Sequence, residues 1–409
     1  MQGADKVIKF DFNGLEPKKD EIEVFSPDDF KFTRVQPDMD KILETAGKYG
    51  NVKNLIIVAR GGSVSTFRAF WHGFGKYISD KKVYFIDTVD PDYIFYVKDK
   101  CTPKDSLVVA ISKSGTTVDV IENVLVFDGF PQVVITTDSD NALNAVAKEK
   151  EYDMLSHQDV GGRFSGLTEV GLFPSVLCGL DISEIRKGAI QAYSDFGIDS
   201  RLRGNDKGDG NDKGNAKKLA LIVKDLSDAG YNEIFWPIYS RKLVAFSELI
   251  AQLINETVAK EGKGISTIIA EGPESQHFLS QRFFGGPKNM IGLFTTVASF
   301  DEEEKVKVAE SLKSVKLRNG NIGSLNGMKL SDSMKFELRG TYEKAKNSKI
   351  PAIKLELDKV NESGLGYFTA FLHVLAIYMA RAFEVNPFNQ PEVEGSKKIS
   401  FEARKNYKK

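Results

Sequence analysis

A chain of 409 residues exceeds one ordinary core and, at about 150 residues per domain, predicts two or three compact units. With 41% hydrophobic and 28% charged residues, it is neither a disordered nor a collagen-like polymer. Fifty-six basic against 57 acidic side chains give a formal charge of -1, which excludes the broad electrostatic attraction used to hold nucleic acid or an anionic membrane, so any anion must be bound locally.

The segment 1–14 carries no continuous apolar run of the kind a secretory signal needs. From there, β-branched runs at 53–59, 82–87, 106–111 and 132–137 each end in small or polar residues and pass into helical periodicity. That alternation predicts strands of a parallel sheet with helices on its faces, an open α/β sandwich. Cys101 and Cys178 lie far apart, so neither a disulfide framework nor a four-thiolate zinc site is expected, and a reduced cytoplasmic setting is.

Across 203–215 the chain has no apolar side chain and predicts an exposed connection. The alternation then restarts: a helix near 217–229, a strand at 233–238, a long helix from 241 to about 260, and strands at 265–270, 290–296 and 352–357. A last helix at 364–383 precedes a polar tail. Its greasy part, 369–383, is interrupted by His373 and Arg381 and falls short of the roughly 20 apolar residues that span a bilayer, so it reads as a buried helix. The expected division is an N-terminal segment 1–47, a first domain 48–200, an exposed linker 201–216, a second domain 217–385 that repeats the first architecture without a residue-level repeat, and a C-terminal segment 386–409.

Six segments carry chemistry. In Ala59-Arg60-Gly61-Gly62-Ser63 a strand gives way to paired glycines and a helix, where an anion can approach unpaired backbone N–H groups; a plain tight turn has the same appearance. Ser112-Lys113-Ser114-Gly115-Thr116-Thr117, again between strand and helix, offers a cup of hydroxyls for a phosphate, although Ser and Thr also cap helices for no other reason. Val160-Gly161-Gly162-Arg163 puts a guanidinium at a glycine turn, suited either to a developing oxyanion or to a surface ion pair. Glu256 falls on the edge of the apolar stripe of Phe246, Leu249, Ile250 and Leu253, which aims a carboxylate inward, with Gln252 one turn before it on the same side; the alternative is a side chain that snorkels to solvent as the helix ends. Ser275-Gln276-His277 follows a strand and supplies a proton shuttle or an ordinary loop histidine. In Asn386-Pro387-Phe388-Asn389-Gln390-Pro391 the prolines stop the last helix, leaving Gln390 and Lys397 free to reach an adjacent site. His72, His157, His277 and His373 form no ligand motif, the Gly-Lys-Ser/Thr ending of a P-loop is missing, and no Gly-x-Gly-x-x-Gly occurs. Neither a metal nor a nucleotide cofactor is expected.

In this order and at these separations, from about residue 51 to 398, the segments resemble the phosphoglucose isomerase family, whose two halves are each a sugar-isomerase (SIS) domain. The resemblance implies an α/β fold of two doubly wound domains, each a mainly parallel sheet flanked by helices. It implies interconversion of glucose 6-phosphate and fructose 6-phosphate through a cis-enediol, with no metal. By the same likeness Gly62, Ser63, Ser112, Lys113, Ser114 and Thr117 hold the sugar phosphate, and Gly162 and Arg163 stand by the enediolate. Gln252 and Glu256 match the helix signature that supplies the base, Gln390 and Lys397 the closing segment, and His277 the ring-opening residue contributed across a homodimer. The chain departs from the family pattern at Ser114, Gly115 and Val120, at Asp119 (where the acid that partners the histidine is usually Glu), at Thr257 and at Glu392. Acceptance of mannose 6-phosphate and a non-catalytic phosphosugar sensor are the alternative readings, since a fold alone does not settle function.

Overall fold

The computed structural model describes residues 7–19, 21–22, 27–198 and 214–407. Of the expected linker 201–216, residues 201–213 lie outside the described residues, and a helix begins at once after them, Asn215–Asp228. The described strands in chain order are β1 (Ile8–Asp11), β2 (Asn54–Ala59), β3 (Lys82–Ile86), β4 (Ser106–Ile111), β5 (Gln132–Thr136), β6 (Asp153–Ser156), β7 (Glu233–Tyr239), β8 (Ser266–Glu271), β9 (Met290–Val297), β10 (Lys316–Leu317), β11 (Gly320–Asn321) and β12 (Ala352–Leu357).

The chain forms two compact units. One holds Met1–Pro17, Asp225–Val244 and Ser266–Val360; the other holds Lys18–Lys224, Ala245–Ile265 and Asn361–Lys409. This grouping differs from the consecutive division 48–200 and 217–385. The helices Ser247–Thr257 and Glu362–Ala382 join the unit built on the earlier strands. Packing accounts for the second of these. Glu362–Ala382 is buried continuously from Gly364 to Ala380, so it needs neighbours on every side, and it runs against the helix Ile182–Asp195. The two backbones approach so closely that a Cβ on Gly366 would lie 1.8 Å from the Ile185 carbonyl oxygen and one on Gly188 1.9 Å from that of Ser363. By length and composition this helix passes for a membrane span, but 94% of its most apolar window is buried inside the protein.

The larger unit has a five-stranded, all-parallel sheet in the order β3-β2-β4-β5-β6. Ile56, Val58, Val108, Ala110 and Val134 face the helices Pro91–Lys100, Val118–Val126 and Ala142–Glu149, while Leu55, Ile57, Val109, Val133 and Ile135 on the opposite face are equally buried. Both faces are covered, as parallel sheets require. Because the chain runs from β2 to β3 on one side and from β4 to β5 on the other, the carboxyl ends of β2 and β4 flank a switch in strand order, where open α/β sheets form their crevice.

The smaller unit carries the sheet β1-β12-β9-β7-β8, parallel except for β1, which pairs antiparallel with β12 at the edge. The helices Leu279–Gly285 and Leu330–Asn347 pack on it through Phe283, Leu338, Tyr342 and Ala345. The fold is thus α/β with mainly parallel sheets flanked by helices, as the residues predict. The expected polar tail is different: 392–405 is a helix, Glu392–Lys405, every residue of it outside the core. Its apolar positions are too few to announce it, and Glu392 and Glu394 in its first turn suit the positive end of the helix dipole.

Candidate functional site

The larger unit contains a cleft of about 1320 Å³ at the carboxyl ends of β2 and β4. Gly62, Ser63, Ser112, Lys113, Ser114, Thr117, Gly162, Arg163, Gln252, Glu256, Gln390 and Lys397 all line it. Segments far apart in sequence therefore converge on one cavity. His277 belongs to the smaller unit, exposed at the end of the turn Glu274–His277, while Gln276 beside it donates to the Tyr239 hydroxyl at 2.9 Å.

The convergence depends on backbone contact between two glycine turns. A Cβ at Gly62 would lie 2.3 Å from the Arg163 nitrogen and 2.3 Å from the Gly162 carbonyl carbon, so only glycine lets these turns touch. On the second rim the Ser112 and Thr117 hydroxyls are 2.9 Å apart, and the helix Val118–Val126 starts from Thr117, whose own side chain caps none of its first N–H groups. The Ser114 hydroxyl accepts from the Thr116 amide at 3.2 Å. Lys113 pairs with the exposed Asp159 at 3.1 Å, and Lys397 with Glu394 one turn before it at 2.7 Å.

Between the rims sits a carboxylate held by two side chains, one of which is fixed by a third. Glu256 Oε2 accepts from Arg163 Nη1 at 3.1 Å and Oε1 accepts from Gln252 Nε2 at 3.0 Å, while Gln252 Oε1 receives the Ser65 hydroxyl at 2.6 Å. The Arg163 side chain is 3% exposed and that of Glu256 30%, so the cation is the wall and the carboxylate opens on the cleft. Burial pulls the Arg163 guanidinium below its ordinary range, with Glu256 opposing that fall. The inward aim expected from the apolar stripe holds, since Leu249, Ile250 and Leu253 are buried on the same helix.

Four features escape the sequence reading. Arg60, quoted only as part of a turn, lines the cleft and pairs with Asp119, so the departure at Asp119 has a cation of its own. Val120 borders the cleft but packs as a core side chain, 1% exposed among Val108, Val124 and Phe127. Lys260 is buried and donates to the Asn386 carbonyl at 2.6 Å, the Asn389 carbonyl at 2.7 Å and Asn389 Oδ1 at 3.1 Å. Burial first, then the Arg163 charge, pull its ammonium down to about 8, against Glu392, Glu261 and Glu256. Arg404, on the unforeseen helix, reaches Glu122 at 2.7 Å and lines the cleft as well. The only signal for Lys260 was its place one turn after Glu256. Among the described residues no three His, Cys, Asp or Glu side chains gather in a metal-holding group.

No family model matches the chain. A glucose-6-phosphate isomerase from Methanocaldococcus jannaschii is 26% identical over 369 residues, covering 88% of this chain and 86% of that protein. Among solved structures, a hypothetical protein from Thermus thermophilus superposes with a TM-score of 0.77 at 24% identity, covering 92% of this chain and 88% of its own. A glucose-6-phosphate isomerase from Chlamydia trachomatis gives a TM-score of 0.69 at 18% identity, covering 94% and 80%.

Proposed function

We propose that this chain, 26–28% identical to relatives named as glucose-6-phosphate isomerases, is a member of the phosphoglucose isomerase family and interconverts glucose 6-phosphate and fructose 6-phosphate with Glu256 as the proton-carrying base. The observation that carries this reading is the carboxylate held between Arg163 and Gln252, open to the same cleft as the Ser112–Thr117 hydroxyl pair. A phosphate binder needs the hydroxyls and amides; it does not need an oriented carboxylate beside a buried guanidinium.

On this reading the phosphate sits in the cup of Ser63, Ser112, Ser114 and Thr117, with Lys113 at its rim and Gly62 and Gly162 leaving room for the sugar. In the open-chain aldose, Glu256 removes the C2 proton, the freed pair forms the C1=C2 bond, and the C1 carbonyl becomes an enediolate oxygen facing Arg163. Glu256 returns the same proton to C1 while the O2 hydroxyl proton transfers to O1, leaving a C2 ketone. Gln252 and Gln390 orient the hydroxyls. His277, from the second subunit of a homodimer, and Lys397 assist ring opening. The enzyme works in the cytoplasm without a cofactor.

Replacing Glu256 by Gln tests the assignment: the variant should bind fructose 6-phosphate yet neither turn over nor exchange the C1 or C2 proton with solvent deuterium. Turnover at the wild-type rate would remove Glu256 as the base. Binding without exchange in the wild-type chain would favour the sensor reading instead.

A further inference from the structure

Lys260 presents an unusual combination. Its side chain belongs to a residue only 6% exposed, and its ammonium donates to three neutral oxygens, all supplied by Asn386 and Asn389. An ammonium has three N–H donors, so this one is fully used. Burying such a charge among neutral acceptors is costly and persists only where the geometry repays it.

The Asn389 carbonyl is also the second acceptor of Arg163, whose Nη2 lies 3.2 Å from it. One backbone oxygen therefore joins two buried cations, and one of them is the guanidinium that holds Glu256. Lys260 follows Glu256 by four residues, just past the end of the helix Ser247–Thr257, so the two ends of this linkage are fixed to one short stretch of backbone. The turn at 386–389 leads directly into Gln390 and Pro391, both on the cleft wall.

We propose that Lys260 is a positioning residue for the Arg163–Glu256 pair: by fastening the 386–389 turn it fixes the carbonyl against which Arg163 rests, and with it the approach of Gln390 to the cleft. The inference rests on the isomerase reading for its kinetic consequence, but the fastening itself does not. Without Lys260 the Arg163 guanidinium loses one of its two fixed directions while the phosphate cup on the other rim is unchanged. The loss should therefore fall on the chemical step rather than on substrate capture.

The test compares wild type with Lys260→Met, which keeps the apolar stem but no donors, Lys260→Gln, and Lys260→Arg, which keeps donors and charge. In Lys260→Met we expect kcat lower by about tenfold to a hundredfold, KM for fructose 6-phosphate within about twofold of wild type, and partial recovery of kcat in Lys260→Arg. Hydrogen exchange of the peptide covering 384–391, read on the full chain without substrate, should speed up in Lys260→Met and Lys260→Gln. A Lys260→Met variant with wild-type kcat overturns the proposal, as does a fall in thermal stability with kcat and exchange at 384–391 unchanged. If the wild-type chain shows no isomerisation, the isomerase reading fails, and the exchange measurement alone decides whether Lys260 fastens the turn.

Discussion

Arg163 Nη1 lies 3.1 Å from Glu256 Oε2, joining a glycine turn to a helix 93 positions further along the chain. The pair is asymmetric: the guanidinium is sealed in the wall and the carboxylate is half-buried at the cleft. Removing the cation should leave a carboxylate with Gln252 alone to orient it. Arg163→Ala should lower kcat by about 100- to 1000-fold, the loss typical when a fixed charge opposite a developing oxyanion is deleted. Steady-state kinetics check this; a larger effect on KM than on kcat would instead make Arg163 a binding residue.

The hydroxyl rim should behave in the opposite way. Ser112→Ala and Thr117→Ala each remove one hydroxyl of a pair 2.9 Å apart. A hydrogen bond to a charged group contributes about 1.5–3 kcal/mol, which corresponds to a rise in KM of roughly 10- to 100-fold. The affinity for inorganic phosphate, measured by calorimetry, should fall in parallel. Wild-type KM in both variants would displace the phosphate from this cup.

Two neighbouring glycine positions should respond differently to a methyl group. At Gly62 a Cβ meets main-chain atoms at 2.3 Å, whereas at Gly162 the nearest described contact, Gly62 Cα, is 4.0 Å away. Gly62→Ala should cost about 1–3 kcal/mol of stability as the turns are forced apart, and Gly162→Ala no more than about 0.5 kcal/mol. Urea denaturation of the two variants measures the contrast.

His373 makes folding sensitive to acid. Its ring is fully buried, edge-on to Phe32 at 5.5 Å and to Phe164 at 5.4 Å, and that burial lowers its pKa to about 3. In the unfolded chain the same ring takes a proton below about pH 6.5. Between those values the unfolded state binds more protons, so this contribution is complete above the unfolded pKa and is lost as the pH falls, by up to about 1.4 kcal/mol per pH unit. His373→Leu should flatten the slope of stability against pH between about 6.5 and 4.5, as followed by denaturant titrations. An unchanged slope would mean that other groups set the acid limit.

Much of this protein was readable from local pattern. β2, β4 and β5 announce themselves as short β-branched runs closed by glycine or hydroxyl residues, and the glycine-serine and hydroxyl-rich motifs sit at the turns where β2 and β4 end. The helix Ser247–Thr257 shows its apolar stripe in the sequence, so periodicity placed Glu256 at the edge of that stripe but left open whether its carboxylate turned inward or reached solvent. These are short-range properties, written within a few turns of chain.

What the tertiary structure decided is which distant segments meet. Nothing near Lys260 in sequence indicates Asn389, and nothing near Arg60 indicates Asp119, because both contacts depend on how helices stack over a sheet. The assignment of Glu362–Ala382 to the unit containing Ile182–Asp195 is of the same kind. Local propensity determines where a strand or helix forms; partner choice is set by burial and by the close approach of backbones at Gly188 and Gly366, and that information exists only once the chain has packed.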